Sequence, residues 1–128
     1  MRELDAETLL FFDGHPDTLA MYQRFEERLY EAFPQANKRV QKTQITFFNR
    51  HVFACVSFLR AKRKAELPDP YIVVTLGLPY PLDSARVAAK VEPYPGRWTT
   101  HFVISDAAEV DDELLSWLRQ AFAFSEAK

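Results

Sequence analysis

VQKTQITFFNRHVFACVSFL, residues 40–59, decides how the chain is read. It divides into two strands joined at Asn49, Arg50 and His51. Side chains alternate across a strand, so Thr43, Ile45 and Phe47 project to one side. Lys42, Gln44, Thr46 and Phe48 project to the other. The first side suits a core. The second sets an ammonium, an amide and a hydroxyl in a row, which makes it the leading candidate for a site face.

The flanking segments supply what would cover the apolar side. Asp5 is placed to cap a short helix over 6–11, and Asp13-Gly14 ends it. Pro16 suits the first position of a second helix, over 16–33. Leu19, Tyr22, Phe25, Leu29 and Phe33 recur there at steps of three or four, giving one apolar stripe, and Pro34 stops it. After the hairpin come a basic loop and two close prolines, Pro68 and Pro70. YIVVTLGL (71–78) reads as a third strand, and WTTHFVIS (98–105) as a fourth. Between them, Asp83 and the pair Val87 and Val91 predict a short helix through about residue 91, followed by a rigid turn at 93–96. A last helix from about Asp111 has acidic residues at its N-terminus, where negative charge is favoured, and an apolar stripe from Leu114 to Phe122. The expected fold is one α+β domain over 1–128. Its antiparallel sheet has about four strands, with N- and C-terminal helices packed on one face.

Composition narrows function by exclusion. The chain has 128 residues, the size of one domain with one core. Only 3 glycines are present, which leaves no room for a Gly-rich phosphate loop. A net charge of −2 argues against bulk attraction to nucleic acid or anionic membrane. Cys55 stands alone in an apolar strand, so an intramolecular disulfide is excluded and a packed thiol is expected. No stretch has the apolar length of a membrane span, and MRELDAETLL does not read as a signal peptide, so a cytoplasmic location is expected. His15, His51 and His101 lack paired ligand spacing, so neither a metal nor another cofactor is expected. Hydrolase and kinase motifs are absent.

Several segments together resemble a known family: KTQITF at 42–47, Phe53-Ala54, VEPYPGRWTTHF at 91–102 and DDELLSWLRQAF at 111–122. FFDGHPDTLAMY, 11–22, fits its start. This order is similar to the DUF5655 domain. The resemblance implies a small intracellular domain, largely prokaryotic, with no established activity and no catalytic residues to carry over.

Three readings of function follow. The first is a non-enzymatic binding module for an anionic small molecule or an acidic partner segment on the open sheet face. Lys42 and Arg97 would supply charge, Gln44, Thr46 and His101 hydrogen bonds, and Tyr94 and Trp98 aromatic walls. Thr99, Thr75 and Ser57 are expected on the same face. The competing view of this row is a solvated sheet face, and of His101 a histidine bonded within the sheet. The second reading is a self-association or interaction domain with Phe48 and Phe58 as contacts. The third is weak nucleic-acid binding through Arg60, Lys62, Arg63 and Lys64, against which the overall acidity counts.

Overall fold

The computed structural model describes residues 3–128; the first two residues of the acidic N-terminal stretch lie outside it. Two helices come first. Helix α1 (Ala6–Phe11) begins where the Asp5 carboxylate accepts from the Thr8 amide at 2.9 Å. Gly14, at φ 82°, turns the chain into α2 (Pro16–Ala32). The strands are β1 (Asn37–Val40), β2 (Gln44–Phe48), β3 (Val52–Ser57), β4 (Ile72–Leu78), β5 (Val87–Tyr94) and β6 (Arg97–Ile104). Helix α3 (Asp112–Glu126) closes the chain, its first turn capped by Asp111 through the Leu114 amide at 3.0 Å.

The sheet has six strands in the order β1-β2-β3-β4-β6-β5, and all its pairings are antiparallel. The expectation of an antiparallel α+β fold holds, but the count of about four strands is corrected twice. Strand β1 was not foreseen because Asn37-Lys38-Arg39-Val40 has no apolar run; its alternation is carried by a lysine. The segment expected as a short helix after Asp83 is instead β5. Val87 and Val91 are spaced for a helix, but the Pro95-Gly96 turn, with Gly96 at φ 75°, folds the segment back so that Tyr94 pairs Arg97 and Val87 pairs Phe102. As an edge strand β5 buries little, so it lacks the apolar alternation of a central strand.

The register defines two sheet surfaces. Ile45, Val56, Val74 and Phe102 are cross-strand neighbours in sequence of pairing, and all are buried in the main core. Tyr22, Phe25 and Leu29 of α2 and Leu114, Leu118 and Ala121 of α3 belong to the same core. Edge-to-face ring contacts fasten it, with Phe25 to Phe47 at 5.8 Å and Phe33 to Phe53 at 5.8 Å. A bulge at Phe47/Phe48 lets Phe53 and Ala54 both enter this core while Val52 stays exposed. The alternate residues form the second surface. One row runs Gln44, Ser57, Val73, Val103, and the next runs Thr46, Cys55, Thr75, His101.

Two polar networks bind the helices to the sheet. Lys38 on β1 donates to Thr8 Oγ1 at 2.7 Å and to Glu26 Oε2 at 3.2 Å, and pairs Asp5 at 3.1 Å. The Tyr22 hydroxyl donates to the same Glu26 carboxylate, and burial beside that charge pushes the phenol far above its ordinary pKa. At the other end Arg86 reaches Asp111 at 2.8 Å and Glu113 at 3.0 Å, and lies over the Trp117 ring.

Candidate functional site

The second sheet surface carries a cleft of about 650 Å³. This falls within the size range of pockets that hold small organic ligands. Its floor is Gln44 from β2, Cys55 and Ser57 from β3, Thr75 from β4, and Thr99 and His101 from β6. Lys42 and Thr43, just before β2, form one rim. The opposite wall comes from the turn between α1 and α2: Phe11, Asp13 and His15. Phe58, just after β3, ties that turn to the sheet. It stacks on His15 with ring centroids 4.2 Å apart, and on Phe11 at 5.7 Å.

The chemistry of the lining is specific. Among the described residues Lys42 is exposed and forms no ion pair, so its ammonium is available to an incoming acid. His101 Nδ1 lies 2.8 Å from Thr75 Oγ1, a contact across two paired strands that fixes the ring. Burial lowers the His101 pKa below its ordinary value, so the ring is neutral at pH 7 and offers hydrogen bonds rather than charge. Burial raises the Cys55 thiol to about 11, which keeps it protonated at neutral pH. The floor is therefore a set of neutral hydroxyl, thiol, amide and imidazole groups, with charge confined to the rims at Lys42 and Asp13.

The structure divides the residues named from sequence into two groups. Lys42, Gln44 and His101 meet in this cleft. Thr46 does not line it: the side chain is buried, donates to Gln41 Oε1 at 2.6 Å and accepts from Gln44 Nε2 at 2.9 Å, so it positions Gln44. Tyr94, Arg97 and Trp98 line a neighbouring cleft of about 260 Å³ with Val52, Gly77 and Lys128. Cys55, Thr75 and Thr99 line both clefts.

Residues 10–125 match the family model described as Domain of unknown function (DUF5655). The chain belongs to the DUF5655 family. No curated protein and no solved structure gives a significant match. The matched span of this DUF5655 domain takes in every lining residue of the larger cleft.

Sequence reasoning missed Phe11, Asp13 and His15 as lining residues of this cleft. The only local signal was the Asp13-Gly14 helix break, which shows a turn but not where it docks. Phe58, expected as a free contact residue, is packed on that turn; Phe48 lies under Arg39, 4.7 Å from ring centroid to guanidinium carbon. Arg60, Lys62, Arg63 and Lys64 stand exposed in the connection between β3 and β4, where Arg63 faces Glu66 at 3.9 Å. Among the described residues no three of His, Cys, Asp and Glu group as a metal site, and no helix is long and apolar enough to cross a membrane.

Proposed function

We propose that this DUF5655 domain is a non-enzymatic binding module for a small organic anion, seated in the larger cleft of the open sheet surface. One observation carries the reading. Lys42, Gln44 and His101 come from segments almost sixty residues apart, yet they line a single cleft of ligand size together with Phe11 and Phe58. Lys42 would take the carboxylate or phosphate, Gln44 and the neutral His101 would fix polar groups, and the Phe11 and Phe58 wall would hold the apolar part. Among the described residues His101 has Thr75 as its partner and no carboxylate that would prepare it as a general base, which favours binding over catalysis.

The test is a thermal-shift and calorimetric survey of carboxylic acids and phosphate monoesters. For any compound that binds, Lys42→Ala should weaken affinity about tenfold or more, the loss of one charge-assisted hydrogen bond. The protein's melting temperature should stay unchanged, because Lys42 is exposed. Binders whose affinity is indifferent to both Lys42→Ala and Gln44→Ala would remove the cleft from consideration.

One observation favours a second reading, self-association. Val91 and Tyr94 are exposed on β5, whose outer edge pairs with no other strand among the described residues. Light scattering over a range of concentrations separates the two: a dimer that Tyr94→Lys dissociates supports this reading, and a monomer at all concentrations ends it.

A further inference from the structure

The two clefts share Cys55, Thr75 and Thr99 as floor residues, so they meet on the same sheet surface. The register gives their separation. Gln44 stands in one cross-strand row with Ser57, Val73 and Val103, and Arg97 lies six residues from Val103 along β6. At the rise of an extended strand this is about 20 Å along the strands, and the three strand spacings from β2 to β6 add about 14 Å across them, so the ends stand about 25 Å apart. The surface between the ends is low. Gly77 pairs with Thr99 midway, and a Cβ built on Gly77 would meet nothing within 4 Å. Small side chains, Cys55 and Thr75, continue the floor toward His101.

The far end has its own charge. Arg97 and Lys128 line the same small cleft, and among the described residues neither is paired with a carboxylate. Burial, and then the charge of nearby Arg97, lower the Lys128 pKa, in keeping with two cations that share one cleft. Tyr94 and Trp98 wall this end, and Lys128 also lies over the Phe124 ring, 5.1 Å from its centroid.

We infer that the two clefts are the ends of one trough, and that the ligand is an elongated molecule carrying a second anionic group, which Arg97 and Lys128 hold. This rests on the binding-module reading above and specifies its ligand: a molecule of about 20–25 Å with an acid at each end, rather than a compact monoacid. Two weak anion contacts joined by a linker that matches their span bind far more tightly than either alone, because the second contact is made at high effective concentration.

Calorimetry with two synthetic probes tests it: the α,ω-bisphosphates of butane and of tetradecane. Only the longer compound reaches from Lys42 to Arg97. It should bind at least tenfold more tightly than the shorter one. Arg97→Ala should abolish that advantage, with Lys128→Ala giving a smaller loss. Gly77→Leu, which raises a side chain in the middle of the trough, should abolish it too, leaving the short compound's affinity as it was. Equal affinities for the two lengths, or an advantage that survives Arg97→Ala, overturn the trough. If the short compound is still weakened by Lys42→Ala in that case, the binding-module reading stands without it. If neither compound binds, or Lys42→Ala affects neither, both fall together.

Discussion

Phe47→Ala is expected to cost about 3–5 kcal/mol of folding stability, while Lys42→Ala, five residues earlier, changes it by no more than about 0.5 kcal/mol. Phe47 is fully buried, in edge-to-face contact with Phe25 at 5.8 Å and Tyr30 at 6.3 Å. Truncation removes the transfer free energy of a phenyl group and leaves a cavity between β2 and α2, whose close-packed walls relax only in part. Lys42 stands in water on the rim of the cleft. The contrast follows from position: Phe47 on β2 points at α2, whereas Lys42 stands in the turn that joins β1 to β2, beside the open surface. Urea denaturation of the two variants measures it. A small loss for Phe47→Ala, or a large one for Lys42→Ala, would mean that the two surfaces have been exchanged.

The second large effect lies in the Lys38–Glu26–Tyr22 network. Glu26 is almost wholly buried, accepts from the Tyr22 hydroxyl, and pairs Lys38 at 3.2 Å. Replacing Glu26 by alanine leaves a largely buried ammonium with Asp5 and Thr8 as its partners among the described residues, and strips a buried phenol of its acceptor. Breaking one side of such a pair costs about 3–5 kcal/mol. Replacing all three polar groups by well-packed apolar side chains costs far less, since no desolvated group is then left without a partner. Glu26→Ala should therefore unfold at much lower urea, and Glu26→Leu with Lys38→Met and Tyr22→Phe should recover most of the loss. If the triple variant is as unstable as Glu26→Ala alone, the network contributes through packing rather than charge.

How much of this could be read from the chain depended on whether the signal was local. The α2 stripe from Leu19 to Phe33 and the alternation around Ile45 and Phe47 repeat within a few residues, so each declares its buried side. Both edge strands failed that test. In β1 the inward position is held by Lys38, whose partner Glu26 is twelve residues away on a helix. In β5, Val87-Ala88-Ala89-Lys90-Val91 fits a period near four as well as one of two, and the Pro95-Gly96 turn decides between them. The cleft divides in the same way. Its floor residues Gln44 and His101 were legible from strand alternation alone. Its wall, Phe11, Asp13 and His15, depends on how a helical turn docks against Phe58 more than forty residues later, for which no periodicity exists. The division between Lys42 at one end and Arg97 at the other is likewise a matter of strand register.

On the proposed function, the open sheet surface receives the ligand, and the basic connection between β3 and β4 does not. A nitrogen–proton correlation spectrum of the labelled protein, followed during titration with a carboxylate or phosphate ester that raises its melting temperature, tests this most directly. Saturable shifts are expected at Gln44, Cys55, Ser57, Thr75 and His101, with Arg60, Lys62, Arg63 and Lys64 unmoved. Shifts confined to those four basic residues, or to the exposed edge around Val91 and Tyr94, would contradict it.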